Sequence, residues 1–102
     1  DFYEPHVTEL ATAADAARRV ADDHDGVGYL DTAQVWGDTY AREHDGAIDR
    51  SDDGVHVCPQ GAARFTSWLL GQLAARYAGF TPAPPASWAN SGWADSDLFV
   101  GC

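Results

Sequence analysis

The sequence predicts an α/β fold, and this class rests on two helical patterns with an apolar segment between them. The first helical pattern ends at Gly26, and the short apolar segment VGYLD, residues 27–31, follows at once and is predicted to be a buried strand. The second helical pattern covers residues 59–77. Helices that alternate with buried strands are typical of α/β domains, so we expect this class.

The first helix is predicted over residues 8–24. Thr8 can cap its N-terminus and Glu9 lies in its first turn, where a negative charge is favourable. Its apolar face consists of small or aliphatic residues at helical spacing: Leu10, Ala13, Ala14, Ala17, Val20 and Ala21. An amphipathic helix of this kind is expected to cover a sheet.

The second helix is predicted to begin at Pro59, because proline suits the first helical position, and Gly79 supplies its stop. Its apolar stripe is Phe65, Leu69, Leu70, Leu73, Ala74 and Tyr77. Residues 32–50 are predicted to be mostly loop, with a short helix around Trp36 or an extended piece at 46–48 as alternatives. Residues 82–85 are Pro-rich and predict a stiff linker, after which the tail is expected to wrap over the body.

One predicted strand cannot form a sheet by itself. The chain is therefore either a small helical fold with a trivial extended segment or the C-terminal part of a larger α/β domain. With 102 residues it has the size of one domain or of a piece of one.

The charge of the chain excludes some classes of partner. The net charge is −10 and the only six basic residues are arginines, so nucleic acid and anionic membranes are poor partners. The chain has no apolar run near the roughly 20 residues of a membrane span. Its first residues lack the pattern of a secretion signal, so we expect any signal or anchor to lie outside this sequence.

The two cysteines, Cys58 and Cys102, are compatible with free thiols or with one disulfide. The position of Cys102 at the last residue favours a disulfide, because the otherwise weakly structured tail needs an anchor. Closing a loop of this length would contribute ~4 kcal/mol in the chain-entropy model. A disulfide would place the protein in an oxidising compartment, so a secreted or extracytoplasmic location is predicted.

Asp53 and His56 are candidates for acid–base chemistry. A histidine that acts as general base needs an acceptor on its second ring nitrogen, and an aspartate three residues away can provide it. Gly54 allows a tight turn between them, and Pro59 begins the next helix. The alternative is that Asp53 caps a turn and His56 is a solvated loop histidine.

The segment DDGVHVCPQGAARF, residues 52–65, resembles the last motif block of the SGNH hydrolase family, which includes the GDSL esterases and lipases. In that block an Asp-x-x-His pair precedes a helix that often opens with Pro-x-Gly. Upstream, LATAADAARRVADDHDGVGYLDT, residues 10–32, is similar to the helix, loop and strand that come before the block. The resemblance covers residues 8–77 and is sharpest over 53–65.

The resemblance implies a three-layer α/β/α sandwich and a Ser-His-Asp triad in which Asp53 orients His56. Residues 1–81 would be the C-terminal part of that domain, and residues 82–102 a linker and tail packed on it. The family's nucleophilic serine lies in an upstream Gly-Asp-Ser motif, which this chain lacks. Gly37, Asp38 and Thr39 are a near-match in the wrong place, and Asn90 lies on the wrong side of His56 to be an oxyanion donor.

The expected function is therefore part of a serine esterase or O-acyl transferase that acts on a lipid or carbohydrate ester and needs no cofactor. Its partner would be the N-terminal portion of the same domain, possibly a separate chain. Two alternatives remain: a disulfide-closed glycan-binding module, or the outward-facing domain of a membrane O-acyltransferase. The module would use Trp36, Trp88 and Trp93, with Asp53 and His56 merely structural.

A divalent metal site is a minor alternative, because the chain has histidines and acids near one another but lacks a familiar ligand spacing. Its candidate ligands are Asp52, Asp53, His56, His44 and Asp45.

Overall fold

A computed structural model describes residues 7–89 and 97–102 of the chain. The described residues form two compact units, one that ends at Thr32 and one that begins at Ala33. Each unit has its own hydrogen bonds.

The first unit contains helix α1, Val7–Asp23, followed by a turn and an extended segment. Arg18 on α1 connects the helix to this segment, because its guanidinium donates to Asp31 at 3.2 Å and lies 5.0 Å from the centre of the Tyr29 ring. The prediction of a helix here is confirmed to within a residue at each end. Thr8 lies inside the helix, one residue after its first described residue.

The predicted strand at residues 27–31 is not a strand in the described structure. A strand needs a hydrogen-bonded neighbour, and within the described residues this segment pairs with no other extended segment. Val27 is exposed, as is Val20 on α1. The sequence pattern identified an apolar segment, and within the described residues no neighbouring strand pairs with it.

The second unit begins with helix α2, Ala33–Trp36, and a hairpin of strands β1, Glu43–His44, and β2, Ala47–Ile48. Asp45 and Gly46 form the turn, both with positive φ, 51° and 77°. Two positive φ values are typical of the type I′ turn that closes tight hairpins. Most of residues 32–50 is loop, as expected, and both the short helix at Trp36 and an extended piece at 47–48 are present. The sequence analysis did not predict the pairing of β1 with β2, for which the Asp-Gly pair was the available signal.

Helix α3, Pro59–Arg76, has Pro59 in its first turn, as expected from the sequence. Its leucines and Phe65 are only half-buried. Two short 3-10 helices follow, Pro85–Ser87 and Asp97–Phe99, and the predicted linker is extended at Pro84, with φ −62° and ψ 141°.

The buried centre of the second unit is small and partly polar. Its buried residues are Val35, Cys58, Asp49, Ser51 and Gly61. Asp49 is compensated by Arg64, which also donates to the carbonyl of Val35, and by His44 Nδ1 at 2.7 Å. A buried carboxylate needs such partners, because removing an unpaired charge from water is very costly.

Gly61 allows α3 to lie directly against the backbone of Asp49. A Cβ atom at this position would lie 2.6 Å from the carbonyl oxygen of Asp49. Gly71 on the same helix has open space where its Cβ would lie. The start of α3 can therefore approach Asp49 only with glycine at position 61.

We expect Gly61→Ala to lower the free energy of unfolding by roughly 1–3 kcal/mol, as overpacking typically does. Gly71→Ala is the matched control and should raise it by about 0.5–1 kcal/mol, because alanine is the better helix former. Urea unfolding of the oxidised chain, followed by circular dichroism, measures both. Equal effects of the two substitutions would contradict the close contact at Gly61.

Candidate functional site

Asp53 and His56 lie in a short hairpin-like loop between β2 and α3. The backbone N–H of Cys58 donates to Asp49 at 2.8 Å, and that of Ser51 donates to the carbonyl of His56 at 2.9 Å. Gly54 has a φ of 75°, which favours glycine, and its N–H donates to the carbonyl of Ser51 at 2.9 Å. The loop is therefore a closed turn with both ends tied to each other.

The side chains of Asp53 and His56 form a hydrogen-bonded dyad, with 2.5 Å between Asp53 Oδ2 and His56 Nδ1. Since an ionised carboxylate only accepts, the bond requires the proton on Nδ1 and leaves Nε2 of a neutral ring as an acceptor. The side chains are 40% exposed for His56 and 45% exposed for Asp53. This tautomer and accessibility suit a general base.

The second carboxylate oxygen of Asp53 accepts three further hydrogen bonds. Its donors are Ser51 Oγ at 2.6 Å, the N–H of Val55 at 2.8 Å and the N–H of His56 at 3.0 Å. The Ser51 hydroxyl foremost, then the N–H of Val55 and the side chain and N–H of His56, hold the pKa of Asp53 well below its usual range. Asp53 is therefore a fixed, ionised acceptor.

Ser51 is a site residue that the sequence analysis missed. It is only 1% exposed, and its hydroxyl is committed to Asp53. A serine two residues before an aspartate in a turn was the available signal, because serine hydroxyls often bond to groups nearby in the chain.

The C-terminal residues 97–102 lie against the loop that carries the dyad. Cys102 forms a disulfide with the fully buried Cys58, with an S–S distance of 2.00 Å and 5.4 Å between the Cα atoms. The N–H of Asp52 donates to the carbonyl of Val100 at 2.8 Å, and the Phe99 ring meets the His56 ring edge to face, with 6.2 Å between centroids. The predicted disulfide is present in the structure.

The remaining predicted metal ligands do not come together. Asp52 binds Arg42 at 2.5 Å, His44 pairs with Asp49, and Asp45 forms the hairpin turn. In the described part of the chain, no three histidine, cysteine or acidic side chains are grouped as they would be around a metal ion.

The ring of Trp36 contacts three other side chains of the second unit. Its ring stacks on Phe65 with 5.7 Å between centroids and a 7° angle between planes, and the guanidinium groups of Arg50 and Arg64 lie 4.4 and 5.0 Å from its centre. Trp88 Nε1 donates to the carbonyl of Ala83 at 3.2 Å. Trp93 and Asn90 lie outside the described residues.

A cavity of about 320 Å³ lies beside Trp36 and Phe65, and its lining includes Arg50 and Val57. Arg50 and Val57 face each other across an antiparallel bridge. Neither Asp53 nor His56 lines this cavity.

No family model, no curated protein and no solved structure matches this chain. Within the described residues, no helix has the length and apolar character needed to cross a membrane.

The depressed pKa of Asp53 predicts a specific loss of stability in acid. The carboxylate contributes stability that is fully present above its unfolded pKa of about 3.9 and is lost as the pH falls below that value toward the folded pKa. The free energy of unfolding of Asp53→Asn should therefore fall less steeply than that of wild type between about pH 5 and pH 2, as measured by urea titrations at each pH. Asp38→Asn, which removes an equally negative but exposed side chain, should keep the wild-type slope. A wild-type slope in Asp53→Asn would contradict the four hydrogen bonds to the Asp53 carboxylate.

Proposed function

We propose that this chain supplies the general base and its orienting acid to an SGNH-type serine hydrolase. The observation that carries the proposal is the 2.5 Å bond between Asp53 and His56, in which the carboxylate is held by three further donors. A dyad of this geometry is what a Ser-His-Asp triad requires apart from its serine. The enzyme would be a carboxylic ester hydrolase or an O-acyl transferase.

In the proposed reaction, His56 Nε2 takes the proton of the serine hydroxyl as its oxygen attacks the ester carbonyl. Asp53 stabilises the imidazolium that forms. The same proton then passes to the alkoxide oxygen as its bond to the acyl carbon breaks. In the second half, water or an acceptor alcohol attacks the acyl group and gives its proton to Nε2. Nε2 then returns a proton to the serine oxygen as the bond between the serine and the acyl carbon breaks.

The serine would come from the N-terminal portion of the same domain, on this polypeptide or on a separate chain. The described serines already donate to other groups. Ser51 donates to Asp53, Ser67 to the carbonyl of Ala63 at 2.7 Å, and Ser87 to the carbonyl of Pro84 at 2.7 Å. The half-buried stripe of α3 and the exposed Val20 and Val27 also support a missing partner, because a central sheet would cover such surfaces.

The proposed location is secreted or extracytoplasmic, because a disulfide persists in an oxidising compartment. The proposed substrate is a lipid or carbohydrate ester. The enzyme is favoured over the glycan-binding module, since the ring of Trp36 already contacts Phe65, Arg50 and Arg64. Apolar membrane spans upstream of this sequence would instead indicate the outward-facing domain of a membrane O-acyltransferase.

His56→Ala should lower ester turnover by several orders of magnitude when the serine-bearing part is present, as loss of a triad member does. Asp53→Asn should also be severe because it favours the wrong tautomer, whereas Asp52→Asn should cost little. His24→Ala is the matched control, because His24 is exposed and lies outside the loop. Hydrolysis of a p-nitrophenyl ester measures all four variants, and wild-type turnover by His56→Ala would refute the proposal.

An organophosphonate probe should label a serine outside residues 1–102. The chain alone should neither react with the probe nor hydrolyse ester, because the hydroxyls of its described serines donate to Asp53 or to backbone carbonyls. Peptide mapping by mass spectrometry locates the label. Labelling of Ser51, Ser67 or Thr39 would contradict the assignment.

A further inference from the structure

We propose that Phe99 is a positioning residue for His56, held in place by the disulfide-anchored residues 97–102, here named the strap. This inference deepens the proposed function and rests on it. Through the strap, the Phe99 side chain would support the catalytic histidine, although it contributes no group to the chemistry.

The contact itself is an aromatic edge against an aromatic face. The rings of Phe99 and His56 are 6.2 Å apart at their centroids and nearly perpendicular, with 80° between planes. This falls within the favourable range for aromatic pairs. The bond to Asp53 fixes one edge of the imidazole but leaves the ring able to tilt about that bond. A phenyl ring against the imidazole restricts the tilt and therefore the direction of Nε2.

The strap is held by groups on the same loop that carries the dyad. Besides the disulfide and the bond from Asp52 to Val100, Arg42 donates to the carbonyl of Gly101 at 2.9 Å and to Asp52 at 2.5 Å. Gly101 has a φ of 83°, and a Cβ atom there would collide with the Asp52 carboxylate. These bonds therefore fix the position of the strap relative to Asp53 and His56.

The anchors named above are backbone groups, the side chains of Arg42 and Asp52, and the two sulfur atoms. A substitution of the phenyl ring leaves these anchors in place and removes the contact of the ring with His56. Val100, the next residue, is 59% exposed and provides a matched control, because its side chain can be shortened without touching the dyad.

The first test is steady-state ester hydrolysis by the oxidised protein that carries this chain together with its serine-bearing part. Phe99→Ala should lower kcat roughly 10- to 100-fold with KM nearly unchanged, as a displaced catalytic group does. Phe99→Tyr, which keeps the ring, should restore most of the rate, and Val100→Ala should match wild type. Equal losses in Phe99→Ala and Val100→Ala would overturn the proposal, as would full activity of Phe99→Ala.

The second test reads the dyad without the serine. A His56 Nδ1 proton bonded to a carboxylate gives a downfield proton resonance, which should broaden or vanish in Phe99→Ala and persist in Phe99→Tyr. Circular dichroism checks that the variants fold, and Phe99→Leu replaces Phe99→Ala if the smaller residue prevents folding. An unchanged resonance in the variant that lacks the ring would refute the positioning role. If the resonance responds as expected while no variant hydrolyses ester, the hydrolase proposal fails and the contact stands.

Discussion

The second unit depends on Cys58, because three parts of the chain meet at this one buried residue. Its N–H donates to Asp49 and closes the dyad loop, its carbonyl accepts the N–H of Ala62 at 2.8 Å as α3 begins, and its sulfur holds Cys102. The disulfide stabilises this unit, whose buried centre is small, because a cross-link reduces the entropy of the unfolded state. The dyad lies inside the region that these three bonds define.

Arginine provides most of the remaining cross-links. Arg42 bonds to the carbonyl of Arg50 as well as to Asp52 and Gly101, and Arg64 connects α3 to Asp49, His44 and the end of α2. The guanidinium group suits this use because its five donors have a fixed planar geometry. In a chain of net charge −10 these arginines are engaged within the fold, and the acidic residues dominate its outer charge.

The geometry of the proposed catalytic pair follows from the same constraints. Asp53 Oδ1 is saturated by donors from the turn, so Oδ2 remains for His56, and the rings of His56 and Phe99 meet on one side. Preorganised acceptors of this kind need no rearrangement when charge develops on the histidine. The proposed acyl transfer would use this fixed orientation of the histidine ring, whereas the alternative of a solvated turn does not require it.

Both long helices and the contact of Asp53 with His56 are predictable from the sequence, because they depend on periodicity and on a three-residue spacing. The sequence favoured the disulfide over two free thiols, and it contains the Asp-Gly pair typical of the β1–β2 hairpin. In contrast, the burial of Asp49 and Ser51, the close approach at Gly61 and the contact of Phe99 with His56 follow from tertiary packing. These join residues far apart in the chain or depend on which face of the loop is covered. For the same reason residues 27–31, apolar in sequence, do not form a strand in the described structure: a strand exists only where neighbouring backbone accepts and donates its hydrogen bonds.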